Sequence, residues 1–197
     1  LHLVPDGIDD HQAVFTELLA AACEITERVR VRRGDRVAVL GDGRLAAMCA
    51  QVLRLRTSDL TVCGIDRGKL SVFESIGLDT LDTASAGTPR KDFDLVVECT
   101  GSPDGPAAAS SMTRPGGTVV LKSTFHGKGR WNPAEVVVDE LTVVGSRCGP
   151  FDRAIRLLER GKVRTGPFLT AVYAFDSWRS AFRRAVRHGS FKVAMRF

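Results

Sequence analysis

No apolar run in this chain approaches the length needed to span a bilayer, and nothing at its start has the shape of a secretory signal. Membrane insertion is therefore not expected. There is no Cys-x-x-Cys pair, and the five cysteines (Cys23, Cys49, Cys63, Cys99, Cys148) are odd in number and widely spaced. That argues against a disulfide framework and favours small buried hydrophobes in a reducing compartment, the cytoplasm. None of the four histidines (His2, His11, His126, His188) has a Cys, His or Glu partner at metal-ligand spacing. The charge excess is small, +5 from 28 basic and 23 acidic residues, so charge alone gives no nucleic-acid footprint. Repeats and low-complexity tracts are lacking too. The chain also has no initiator Met and starts at Leu1 in mid-pattern, so two readings stay open: a piece of a longer protein, or a complete but shortened one.

What is present is a core-forming α/β pattern. With 197 residues, 44% of them hydrophobic, the chain can bury a substantial interior. Short β-branched runs at 36–40, 60–65, 94–98, 118–122 and 141–145 alternate with helical patterns, and a weak strand at 78–81 makes a sixth. Leu45, Met48, Cys49, Val52 and Leu53 recur at helical spacing after the first strand. Further helices are expected at 69–76, stopped by Gly77, and at 104–112, ended by Arg-Pro-Gly-Gly. Strands that are apolar throughout and separated by helices imply a doubly wound parallel sheet covered on both faces. Outside it lie a long helix at 12–29 with Asp9 or Asp10 as N-cap and a helix at 151–160 with Gly161 past its end. An extended piece at 168–175, a helix at 176–189 and a last strand at 191–197 follow. In that helix Trp178, Ala181, Phe182, Ala185 and Val186 share one face, and its arginines lie mostly on the other, a solvated one. The expected organisation is a leading segment, 1–33, a Rossmann domain, 34–165, and a C-terminal return segment, 166–197.

The chemistry-bearing motif is Arg36-Val-Ala-Val-Leu-Gly41-Asp42-Gly43-Arg44-Leu45-Ala46, a strand, a tight turn and a helix start. Gly41 permits the sharp turn, Gly43 lets backbone approach a pyrophosphate, and Ala46 takes the third small position where helix packs on strand. Asp42, Arg44 and Leu45 lie in the same loop and first turn. In Cys63-Gly64-Ile65-Asp66-Arg67-Gly68-Lys69, at the end of the second strand, cofactor choice stays open. If Asp66 is terminal it binds the ribose of NAD, unless it is only an N-cap. If Gly64 is terminal, Arg67 and Lys69 become candidates for the NADP phosphate. The carboxyl ends of the later strands add Thr100 and Gly101, Ser123 and Thr124, and Ser146 and Arg147, because ligands of such sheets sit at that edge.

Several separated blocks resemble zinc-dependent medium-chain dehydrogenases of the sorbitol, threonine and glucose dehydrogenase kind. They are Val14-Phe15-Thr16-Glu17-Leu18-Leu19-Ala20, Arg33-Gly34-Asp35-Arg36-Val37, the glycine turn, Glu98-Cys99-Thr100-Gly101, Arg114-Pro115-Gly116-Gly117-Thr118, Gly145-Ser146-Arg147 and Gly189-Ser-Phe191-Lys192-Val193. Order and spacing match over essentially the whole chain. The resemblance implies that Glu17 lies at the catalytic zinc, that Lys192 contacts the phosphates of NAD(P), and that Arg147 sits beside the nicotinamide half. It also implies a small-molecule alcohol as substrate and a sheet that continues through strand 141–145 across a homodimer or onto a partner chain. Leu18 replaces the usual Pro, and Ala46 the usual Gly. The family's GroES-like catalytic domain, with its Cys and His zinc ligands, is not in this sequence, so on this reading 12–29 and 168–197 are pieces that pack against it. The expected function is the cofactor-binding half of an NAD(P)-dependent alcohol or polyol dehydrogenase. The alternative is a dinucleotide-binding module that catalyses nothing itself. A methyltransferase is disfavoured by the dinucleotide spacing of Gly41 and Gly43, and a zinc-free quinone reductase by the Phe-Thr-Glu-Leu-Leu-Ala block.

Overall fold

The computed structural model describes residues 2–125, 127–129 and 131–197, so His126 lies outside the described residues. The chain enters through α1 (Asp10–Ala13), where Asp9 and Gln12 form a reciprocal capping box. The single helix expected over 12–29 is in fact two, α1 and α2 (Thr16–Arg28). The tight i→i+3 bond from the Phe15 amide to the Gln12 carbonyl (3.0 Å) interrupts the ladder and turns the Phe15 ring fully into the core. Tertiary burial of one aromatic overrides a continuous helical propensity there. The Ala-rich face of α2, including Ala20, Ala22 and Cys23, is then sealed from solvent.

Next come β1 (Val37–Leu40), α3 (Arg44–Arg54), β2 (Leu60–Gly64), α4 (Arg67–Glu74), β3 (Asp79–Asp82), α5 (Thr83–Ala86), β4 (Phe93–Glu98), α6 (Gly105–Met112), β5 (Thr113–Leu121), α7 (Pro133–Val138), β6 (Thr142–Gly145) and α8 (Phe151–Glu159). The six strands pair in parallel in the order β3-β2-β1-β4-β5-β6. This is the doubly wound Rossmann order: the chain runs outward from β1 to β2 and β3 on one side and from β4 to β5 and β6 on the other, leaving a crevice at the carboxyl ends of β1 and β4. Val37 to Leu40 and Leu95 to Val97 are buried because helices cover both faces.

Four details differ from the sequence expectation. β5 starts at Thr113, not 118: Thr113 pairs with Phe93, Arg-Pro-Gly-Gly bulges out, and pairing resumes at Leu95–Thr118. The two short helices α5 and α7 were not expected; Val136, Val137 and Val138 are β-branched, but Pro133 opens the first turn of α7 and the Asn132 side chain accepts the Ala134 amide there. The helix expected over 176–189 is only α9 (Trp178–Ala185), preceded by a 3₁₀ turn. Lastly, Cys148 is exposed in the loop after β6, so the buried-hydrophobe role holds for Cys23, Cys49, Cys63 and Cys99 but not for it.

The chain ends in a small second sheet, β7 (Leu169–Ala174) paired in parallel with β8 (Lys192–Arg196), with α9 as the crossover. It is fastened to the main unit by three mutually edge-on rings, Phe73, Phe168 and Phe191, with centroids 5.1 to 6.0 Å apart. Full burial of one such ring contributes about 1.5–3 kcal/mol. Among the described residues no helix is long and apolar enough to cross a membrane.

Candidate functional site

The crevice at the reversal point encloses about 380 Å³, ample for part of a dinucleotide. Its floor is the turn after β1. Gly41 has φ +126°, and a Cβ there would stand 2.9 Å from the Cys99 carbonyl, so no other residue closes this turn without strain. Gly43 is the N-cap of α3 and has open space where a side chain would project. Four amides of the first helical turn therefore face the opening with the positive end of the helix dipole. Ala46 is fully buried behind them against the core.

Of the residues singled out by sequence, Gly41, Asp42, Gly43, Gly64, Lys69 and Thr100 line this crevice together. β2 ends at Gly64, which decides the first ambiguity. Asp66 is the N-cap of α4: its Oδ1 accepts from the Lys69 amide (3.2 Å), while Oδ2 is buried without a hydrogen bond and lies 3.4 Å from the His188 ring. Asp66 and Arg67 fall outside the crevice wall. The guanidinium of Arg67 is held along its own helix by Glu74 at 3.1 Å.

Arg44, Lys192 and Glu17 converge beside the turn. Burial holds the Lys192 ammonium below its ordinary range; the charge of Arg44 lowers it further, and that of Glu17 acts in the opposite sense. The Lys192 Nζ also sits over the Phe15 ring, 5.4 Å from its centroid. Arg44 is exposed at the first position of α3 and Leu45 is half-buried behind it, so the two cations stand near a helix N-terminus that already favours anions.

At the far end, Ser123 and Ser146 are engaged within the fold. The Ser123 hydroxyl donates to Glu98 Oε2 (2.5 Å) and accepts the Gly101 amide (3.0 Å), and Ser146 Oγ accepts from the Lys122 ammonium (3.0 Å). Thr124 and Arg147 are exposed beside them. Two residues given no role from sequence organise this edge. Glu98, almost fully buried, also accepts from the Thr100 amide and hydroxyl, which fixes the 98–101 corner. Lys122, pushed down by burial, ties the β5 and β6 loops together by also donating to the Arg147 carbonyl (2.6 Å). The signal was a charged residue closing an otherwise apolar strand. Thr83 is a third addition; it lines the crevice and donates to the Gly64 carbonyl at 3.0 Å.

The strand order and the glycine turn define a Rossmann-type α/β protein. Residues 43–160, more than half the chain, match the zinc-binding dehydrogenase family, and the chain belongs to it. D-arabinitol dehydrogenase 1 of Uromyces fabae is 28% identical over 96% of this chain and 59% of its own length. Among solved structures, a short chain alcohol dehydrogenase from E. coli CFT073 complexed with NADH superposes with TM-score 0.85 at 19% identity, covering 100% of this chain and 62% of its own. A zinc-binding dehydrogenase from Sinorhizobium meliloti 1021, bound to NADP, gives 0.85 at 22% identity over 98% of this chain and 61% of its own. At such identities the likeness is one of fold. The chain spans about three fifths of the length of the curated relatives it matches.

The family description implies zinc. Glu17 is exposed in the first turn of α2, and among the described residues no three His, Cys, Asp or Glu side chains converge. A tetrahedral site needs several N, S or O donors, so one carboxylate does not fit it.

Proposed function

We propose that this chain is the NAD(P)-binding portion of a zinc-type alcohol or polyol dehydrogenase. The observation that carries the reading is the Gly41-Asp42-Gly43 turn, which opens α3 onto the crevice between β1 and β4. The residues fit the cofactor: the α3 amides, Arg44 and Lys192 would hold the pyrophosphate, and Gly43 leaves room for it. When bound, the nicotinamide supplies the hydride acceptor or donor. The Glu98–Thr100–Ser123 network fixes the 98–101 loop that would face the nicotinamide, and Lys122 holds the Ser146 and Arg147 loop in register with it. Orienting the reacting carbon is this portion's share of the rate enhancement.

In this proposal residues 34–165 form the cofactor domain, with 1–33 and 166–197 packing against a GroES-like unit that supplies the substrate pocket and metal donors, Glu17 being the one donor contributed here. The substrate is a small alcohol. Free cysteines fit a reducing cytoplasm. β6 is an edge strand and suits sheet continuation in a homodimer. Fluorescence titration with NADH and with NADPH tests the reading; folded protein that binds neither sinks it. A second reading, a non-catalytic module acting with a partner chain, is favoured by the apolar side chains exposed on α9. It predicts nucleotide binding without turnover of any alcohol when zinc is added.

A further inference from the structure

A carboxylate that accepts the adenosine ribose hydroxyls normally stands at the tip of the second strand, about 20 residues past the glycines. Here that tip is Gly64, which has no side chain. The space is nevertheless filled by an acid. A Cβ built on Gly64 would lie 2.7 Å from the Asp42 Cβ and 2.8 Å from its Oδ2. The carboxylate of Asp42 therefore occupies the volume into which a residue at position 64 would project. Asp42 Oδ2 accepts the amides of Ile65 (2.8 Å) and Asp66 (2.9 Å), which locks the group across the β2–α4 loop. Oδ1 forms an ion pair with the Lys69 ammonium at 3.6 Å, too long for a hydrogen bond, so it can still accept one from a hydroxyl donor in the crevice.

We propose that Asp42 takes over, from the glycine-rich turn, the ribose-binding role that Gly64 cannot perform, and selects NAD(H) against NADP(H). This rests on the dinucleotide reading above. A 2′-phosphate placed here would meet the Asp42 carboxylate directly. The two cations that sequence offered as its partners are already engaged: Arg67 by Glu74, and Lys69 between Asp42 and the Phe191 ring, 5.9 Å from its centroid. A ribose diol is the chemistry that suits a fixed carboxylate with one oxygen open.

The test compares NADH and NADPH dissociation constants for the full chain and two variant sets. The wild-type chain is expected to bind NADH at least about tenfold tighter, the scale of one charge-assisted hydrogen bond. Asp42→Asn can keep both backbone hydrogen bonds through its amide oxygen and should erase that preference, by weaker NADH and stronger NADPH binding. In the swap, Asp42→Gly abolishes the preference, and Gly64→Asp added to it restores NADH selectivity by returning the acid to the strand tip. Circular dichroism on each variant identifies any that fails to fold, and a folded Asp42→Asn alone decides the proposal. Equal affinities, or NADPH preference, in the wild type overturn it while leaving the dinucleotide reading intact. So does an unchanged ratio in Asp42→Asn. Binding of neither nucleotide overturns both.

Discussion

The two sheets of this molecule are built from similar strands but finished differently. In the six-stranded sheet Val37, Ala38, Val39, Val96 and Val97 are wholly withdrawn from water, because helices from the same chain lie on both faces. In the two-stranded sheet β7 and β8 are at most half-buried along their length, and the helix that joins them shows Phe182 at 60% and its C-cap Val186 at 83% exposure. The first unit closes its own core. The second is held to the first through Phe168 and Phe191 but presents an apolar side of its own outward. The difference separates residues that close the core from apolar residues that the described fold leaves exposed.

The largest expected effect comes from breaking the seam between the two. Phe73→Ala removes the ring against which Phe168 and Phe191 pack, and should lower stability by about 3–5 kcal/mol in urea unfolding, loosening both units at once. If only the terminal segment becomes protease-sensitive while the midpoint is unchanged, the units are independent. Gly41→Ala forces a side chain into φ +126° and towards the Cys99 carbonyl. It should cost about 1–3 kcal/mol and abolish measurable NADH binding, as read by fluorescence titration.

How much of this was legible beforehand follows from which interactions are local. The apolar strands and the Gly41–Gly43 turn could be read because period and glycine placement are properties of neighbours in sequence. The break at Phe15 could not, since it exists only because the ring reaches a core made by distant segments. Gly64 and Asp66 were ambiguous for the same reason: the strand end depends on pairing with β1 and β3. Asp42 stood in the motif, but its bond to the β2–α4 loop spans more than twenty residues, and no spacing rule signals that.

A smaller effect sharpens the contrast through pH. Burial raises the Cys63 thiol from 9.0 to about 12 and Cys23 from 9.0 to about 11. Both are protonated in the fold when the unfolded chain has ionised. Their stabilisation is thus complete below pH 9 and is lost as pH climbs through about 11 to 12, at up to about 1.4 kcal/mol per unit of separation. Thermal melts at rising alkaline pH should show the fall, and Cys63→Ala should flatten its later part. If the variant falls as steeply, these thiols are not its source. The smallest change in stability is expected at the outward face: Phe182→Ser should alter the unfolding free energy by no more than about 0.5 kcal/mol. The same variant should lower self-association in sedimentation velocity. A large loss of stability would instead show that α9 contributes to the closed core.

The strand order also sets a schedule for synthesis. β1 pairs with β4 as well as β2, and the hydrogen bond from Arg36 to Asp94 joins residues 58 apart in the chain. At roughly 5–20 residues per second, a ribosome extrudes β1 some 3–12 s before its second neighbour exists. During that interval one edge of the innermost, most apolar strand is unpaired. The α3 helix and β2 form from contiguous chain and shield only the other side, so the nascent protein is most open to mispairing in its middle third, before β4 emerges.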